Sequence, residues 1–475
     1  MSASREKKAR QERGAEYVSP KQQKALEEEK SARRSTAIFA VCAAAVVLFV
    51  AGLLVWNSGI LQRNAAAVRV NGKTYSAADV SYYYTNTRAS YANSGSIDTS
   101  TSLRGQSRSD GSTWFDYIAG QAAQSLASAE AIAQSAKDAG FDGGAEVDET
   151  VRSTLSSLGA AASSNGYGIS GYLKAVFGSL MTRSIFERNL RTAALADIYT
   201  AAKADVANYS DAELTAVYDA DPDAYAMVDY EYAIFSSANY AEETAEGDAE
   251  ADDGSAAALA AAEEALARFQ AGESLEDVAE DADAAYARAT AYYGSAEIAE
   301  WLFDDARRDG DATVLDYTYY GVSLGSMTVV FHGKTRADFH PVDVRHILVS
   351  DEAAANDILA QFNAGDRSEA SFAALAQVNS TDNADDGGLY ANIYLGQMVK
   401  SFEDWCFDAS RQPGDAGVVQ TDYGYHVMYF VQTRPYSYWQ LLAADKLADD
   451  WRAGLTENLF PEMLDGMKYI DPIDS

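Results

Sequence analysis

The chain has 475 residues, 48% of them hydrophobic, and a formal net charge of −34, enough length for about two to four domains with apolar cores. So acidic a chain repels phosphate backbones, which argues against nucleic acid as a partner. Its four histidines and two cysteines form no cluster with metal-ligand spacing, so neither a metal site nor a disulfide framework is supported.

The charge is unevenly placed. Residues 1–35 hold ten Lys/Arg against six Glu, a net of +4 that leaves −38 for the rest. No charged residue lies between Arg34 and Arg63, and Thr36–Trp56 is an apolar run of 21 residues. About 20 such residues cross a bilayer as a helix. The reading is therefore a basic cytoplasmic tail over 1–35 and a transmembrane helix over 36–57, with the N-terminus cytoplasmic by the positive-inside rule. The run exceeds the roughly 7–15 residues of a signal-peptide core, and its polar head is too long for one, so the helix is read as an uncleaved anchor. Cys42 sits early inside the run rather than after it, which argues against a lipid anchor. Everything past residue 57 is then extracytoplasmic. That part holds Cys406 alone, so no intrachain disulfide is available to it.

Residues 58–227 read as a helical domain. Val68 and Val70 alternate as a strand, Asn71-Gly72 turns, and Ser76 caps a helix starting at Ala77. From Trp114 to Ala139 and from Val147 to Ala207 apolar residues recur at helical spacing, broken by glycine-rich segments at 140–144 and 163–171. A further capped helix runs from Ser210 to about Ala220, ahead of Pro222.

The next two hundred residues repeat themselves. VDYEYAIFS (Val228–Ser236) matches VDVRHILVS (Val342–Ser350) at an offset of 114, and Phe269-x-Ala271-Gly272 matches Phe362-x-Ala364-Gly365 at 93. EWLFDDARRDGD (Glu300–Asp311) matches DWCFDASRQPGD (Asp404–Asp415) at 104, sharing the Trp, the Phe, the Asp after it and the closing Gly-Asp. The shifting offset gives copy one 21 extra residues after its first strand, an acidic loop at 241–254, and copy two 11 extra residues before its Trp element. Both copies read as strand, helix, loop, helix, strand. Trp301 and Trp405 are expected as core anchors, and Cys406, in the place of Leu302, as a buried helix residue.

RHILVS, GGL, GQM, SFEDWCF, PGD and GYHVMYF, in that order within 338–436, resemble the parvulin class of peptidyl-prolyl cis–trans isomerases. With a membrane anchor, a helical domain opened by VNG and a closing helix over 437–475, the chain as a whole resembles the extracytoplasmic foldases of the PrsA, SurA and PpiD types. The implied fold class is α+β: one transmembrane helix, a helical chaperone-like domain completed by 437–475, a degenerate parvulin-like module over 228–337 and an isomerase module over 338–436. The resemblance implies catalytic roles for His346, Asp382 and His426, and a proline slot with substrate contacts from Leu389, Met398, Phe402 and Tyr423. It implies no cofactor and no metal. The implied partners are unfolded or newly exported polypeptides with X–Pro bonds.

Some residues depart from that pattern. The spacing from Leu389 to Gly396 is one residue longer than usual, Tyr390 replaces a Gly, and Tyr394-Leu395 replace a polar or basic pair. Ile393 stands loosely where an aromatic residue joins the slot. Copy one has Tyr232 in place of His346, no equivalent of Asp382 and no GQM, while His332 falls past the position of His426. It is read as a parvulin fold without the active site. His332 and His340 read as loop or surface residues. Two functions stay open: an isomerase-foldase using 338–436, and a membrane-tethered holdase or assembly factor whose parvulin folds only bind.

Overall fold

The computed structural model describes residues 58–241, 253–292, 298–319 and 322–470, with scattered residues before 58. Most of the expected basic tail, part of Thr36–Trp56 and most of the acidic loop 241–254 lie outside the described residues, while Val41 and residues 43–51 are described and are helical. Among the described residues, no helix is long and apolar enough to cross a membrane. The chain divides into two compact units, residues 1–200 with 452–475, and residues 201–451.

The first unit opens with β1 (Ala66–Val70) and β2 (Lys73–Ser76), joined at Asn71-Gly72, both with positive φ. Its helices are α1 (Ala77–Asn93), α2 (Trp114–Asp138), α3 (Gly144–Ser164), α4 (Ile169–Phe177) and α5 (Arg183–Lys203), the last running three residues past the unit. Ser76 caps α1, accepting from the Asp79 N–H while the Asp79 carboxylate accepts from the Ser76 N–H. Such a reciprocal pair satisfies two donors that a helix start would otherwise orphan. The C-terminal segment returns as a two-residue strand, Glu462–Met463, antiparallel to β1 with Val68 opposite Met463.

The second unit holds α6 (Asp211–Ala220), two four-stranded modules and most of α13 (Tyr438–Thr456), whose last five residues run past the unit. Copy one comprises β3 (Ala226–Ser236), α7 (Ser255–Gln270), α8 (Leu275–Asp281), β4 (Ala285–Tyr292), α9 (Ala299–Leu302), β5 (Ala312–Tyr319) and β6 (Val322–Arg336). Copy two repeats that order with β7 (Val342–Val349), α10 (Glu352–Ala364), α11 (Glu369–Asn379), β8 (Leu389–Ile393), α12 (Lys400–Cys406), β9 (Ala416–Thr421) and β10 (Gly424–Thr433). The sheets are β4-β3-β6-β5 and β8-β7-β10-β9, the same antiparallel topology twice. Each module thus has two strands more than the strand–helix–loop–helix–strand pattern expects, an edge strand and the first arm of the final hairpin.

Alternation across each sheet makes two cores. In copy two Ile347, Val427 and Tyr429 pack under α10 and α11, while Val344, Met428 and Phe430 face Phe402 and Cys406 of α12. Copy one divides likewise, with Ala233 and Val330 toward α7 and α8 and Val329 and Phe331 toward Leu302 and Phe303. The Trp elements match in detail. Arg307 donates from Nε to the Trp301 carbonyl at 3.1 Å and lies 4.4 Å from the Trp301 ring; Arg411 does the same to Trp405 at 3.0 and 4.3 Å. Guanidinium stacking and carbonyl capping by one side chain account for the arginine recurring in register.

Tyr438, Trp439, Ala443 and Ala444 of α13 bury against Val206, Leu214, Tyr225 and Ala337. The helix thus packs on α6 and on the start of copy one.

Candidate active site

His346 lies on β7 and His426 on β10. The ladder pairs His346 with Met428 and His426 with Leu348, so the two histidines are diagonal neighbours on the face covered by α12. They are 2% and 6% exposed. Their Nδ1 atoms are 3.0 Å apart, and the rings are nearly parallel, at 16° with centroids 5.2 Å apart. One Nδ1 must donate and the other accept.

The groups at the two ends select the direction. Thr421 Oγ1 lies 2.9 Å from His426 Nε2, and Asp382 Oδ2 lies 3.3 Å from His346 Nε2 without hydrogen-bond alignment. A carboxylate facing His346 Nε2 favours the proton there. His346 Nδ1 then accepts from His426 Nδ1–H, and His426 Nε2 accepts from the Thr421 hydroxyl. Burial, with His426 adding to it and Asp382 opposing, lowers the His346 pKa to about 4. Burial also lowers His426, again against Asp382. Both rings are therefore neutral near pH 7.

Phe402 closes the site from α12. It is 3% exposed and stands edge-on to both imidazoles, with centroids 5.6 Å and 5.3 Å away at 81° and 84°. Tyr390 flanks His346 at 4.9 Å and donates its hydroxyl to Asp382 Oδ2 at 3.0 Å.

The loop after α11 delivers Asp382. Ser380 Oγ accepts from the Leu348 and Asp382 N–H groups and donates to the Asp382 carbonyl. The loop closes where the Gly388 N–H reaches the Asn383 carbonyl and the His346 N–H reaches the Gly388 carbonyl, both at 2.9 Å. Gly388 has φ +71°, and a Cβ there would sit 2.1 Å from the His346 carbonyl oxygen. Only glycine fits so close a backbone approach at positive φ.

The structure brings together His346, Asp382, His426 and Phe402, with Met398 half-buried against the same core. It does not bring in two of the residues expected on sequence. Leu389 pairs directly with Arg345, which turns it to the face away from His346, and Tyr390 takes the site-facing place. Tyr423, in the turn between β9 and β10, is 73% exposed, and its N–H donates to Thr421 Oγ1. Ile393 is fully buried beside Phe402. Tyr390 and Thr421 are the residues that motif matching passes over. Strict alternation from the bonded register points to Tyr390, while Thr421 is visible only once the β9–β10 pairing is known.

Copy one holds different chemistry at the matched points. The Phe331 and Phe430 amides bond equivalently, each to its Asp and Gly partners before the final hairpin. Counting back four residues sets Met327 on His426, just as Ile234 opposite Met327 repeats Leu348 opposite His426. Tyr232 opposite Val329 likewise repeats His346 opposite Met428. Tyr232 stacks on Tyr230 at 5.7 Å. His332 instead sits 3.4 Å from both Glu231 and Asp309. His340 Nδ1 contacts the Arg434 carbonyl at 2.8 Å.

A four-stranded antiparallel sheet with a buried histidine pair, a carboxylate at one end and an aromatic lid defines the second module as a parvulin-type domain. Residues 328–433 match the family of PPIC-type PPIase domains, a span that begins inside β6 rather than at residue 338. Foldase protein PrsA 1 of Listeria innocua is 37% identical over 93 residues, 19% of this chain and 30% of that protein. A parvulin-like PPIase of Rickettsia bellii is 37% identical over 99 residues, 20% of this chain and 33% of that one. The crystal structure of the peptidylprolyl isomerase PrsA from Bacillus anthracis aligns at 27% identity over 26% of this chain and 52% of that chain, with a TM-score of 0.19. The chain spans about a third of the length of the curated relatives it matches.

Proposed function

We propose that the chain is a peptidyl-prolyl cis–trans isomerase and foldase, anchored by one span at Thr36–Trp56 and acting outside the cytoplasmic membrane on exported polypeptides. The observation that carries the isomerase reading is the neutral pair His346–His426, fixed between Asp382 and Thr421 beneath the edge of Phe402. X–Pro rotation breaks no covalent bond but crosses a barrier of about 18–20 kcal/mol, taking tens to hundreds of seconds unaided. What lowers it is an apolar seat for the ring and fixed dipoles that favour the twisted amide over the planar one. Phe402 and Met398 supply the seat. The histidine pair supplies a rigid floor with no charge that would have to be desolvated. Asp382 stands half-exposed at its rim, where an amide would rest. The anchor rests on the 21-residue apolar run with its basic flank, and the foldase role on the resemblance to PrsA foldases.

The alternative is a tethered holdase or assembly factor whose parvulin folds only bind. Copy one, with Tyr232 and Met327 in place of both histidines, favours such a role for that module. A protease-coupled or exchange-NMR assay on an X–Pro tetrapeptide separates the readings. The isomerase account expects the full chain to raise the exchange rate and His426→Ala to lower that gain. An uncatalysed rate with intact peptide affinity establishes the holdase instead.

A further inference from the structure

The residues that depart from the parvulin pattern before GQM are those that fasten the second site to copy one. Tyr292, the last residue of β4, donates its hydroxyl to the Leu395 carbonyl at 2.8 Å. Its ring meets Tyr394 at 5.4 Å and 90°, and Tyr394 stacks on Tyr438 at 4.7 Å. Gly396 lies so close to β4 that a Cβ would come within 3.0 Å of the Thr290 carbonyl, and its N–H is held by the Glu403 carboxylate. Beside these contacts lies a cleft of about 410 Å³, within the range of about 300–1,000 Å³ usual for binding pockets. One wall is Ala287–Thr290 of β4 with Asp229 and Tyr232 of β3; the other carries Met398, Lys400 and Glu403.

Two facts give the cleft an occupant. Among the described residues β4 is the edge of its sheet and pairs only with β3, so its outer side offers backbone donors and acceptors to an extended chain. Met398 belongs both to the core that holds Phe402 and to the cleft wall, so one side chain borders both the cleft and the proposed proline seat. The nearby charges are largely matched: Arg288 with Asp229, and Lys400 with Asp404. Such walls suit an ordinary polypeptide rather than a highly charged one.

We propose that the β4 edge of copy one is a docking strand for the stretch of client chain flanking the proline bound at Met398 and Phe402, so that the module without histidines serves the site of the other. This rests on the isomerase reading of the second module. It makes the preferred substrate an extended polypeptide longer than the dipeptide around the bond.

The test compares, on the full chain, an X–Pro tetrapeptide with a peptide of about twelve residues carrying the same bond in uncharged flanks, which reaches several residues along β4 at about 3.3 Å each. The expected result is a kcat/KM about tenfold higher for the longer peptide, carried by KM, as added strand contacts contribute to binding. Ala289→Trp, which fills the cleft, should bring that ratio to about one. Amide exchange provides a reading that needs no variant: the longer peptide should slow exchange at Ala287–Thr290. Equal kcat/KM for the two peptides, a ratio that survives Ala289→Trp, or unprotected β4 amides would overturn the proposal. So would β4 amides already protected by a second copy of the chain that peptide cannot displace. Should neither peptide be isomerised, the isomerase reading fails by itself, and β4 protection by the longer peptide still decides the docking strand.

Discussion

Lowering the pH from 7 to 4 should destabilise the second module through His346 in particular. An unfolded imidazole takes up its proton near 6.5, whereas His346 in its buried place does so near 4. Between those values the unfolded state binds more protons, so stability rises with pH across the window. The cost is absent above 6.5 and fully present below 4. A separation of about 2.5 units at 1.36 kcal/mol each corresponds to about 3 kcal/mol, a large share of the roughly 5–15 kcal/mol that holds a domain folded. The assay is amide exchange at β7 and β10 in urea at pH 7 and pH 4.5, after correction for intrinsic exchange, on wild type and His346→Gln. The variant should lose most of the acid sensitivity at those strands. With only four histidines in the chain, an NMR titration of labelled imidazoles provides the companion reading, in which one resonance titrates near 4. A His346 resonance moving near 6.5, or equal acid sensitivity in the variant, would refute the reasoning.

Phe402→Ala should abolish measurable isomerisation and destabilise the module by about 3–5 kcal/mol as a buried aromatic is lost; Met398→Ala, half-buried, should lower kcat while costing about 1–2 kcal/mol, which urea unfolding distinguishes. Gly388→Ala should expose the β7–loop junction to exchange, because its Cβ would collide with the His346 carbonyl; an unaltered exchange map would show that the loop can shift. Residues 228–337 expressed alone should leave an X–Pro peptide at its uncatalysed rate, because Tyr232 and Met327 occupy the histidine positions; acceleration by that piece would place chemistry in copy one.

The internal repeat, the capped helices at Ser76 and Ser210 and the histidine pair were legible because each rests on short-range pattern: period-two strands, cap residues, and motifs of a few residues. What could not be read depended on pairing across long separations. Leu389 was expected in the slot from its place in GGL, but a strand's face is set by its partner, and the bond to β7 turns Leu389 away and Tyr390 inward. Thr421 reaches His426 only because β9 and β10 form a tight hairpin. Tyr394 and Leu395 stood out in sequence as departures without a use, and their use is contact with Tyr292, about a hundred residues earlier. Arg307 and Arg411 were similarly silent until each was found over its own tryptophan.

The central claim is that one of two matching sheets carries catalysis because it carries the histidines. Its most direct test places leucine at the register-matched positions in turn, His426→Leu and Met327→Leu, in the full chain, and measures isomerisation of the X–Pro tetrapeptide. Met327→Leu conserves volume and should cost less than about 1.5 kcal/mol. The account predicts that His426→Leu loses most of the catalysed rate and that Met327→Leu keeps it. Equal loss in both variants, or a full rate with leucine at 426, would contradict it.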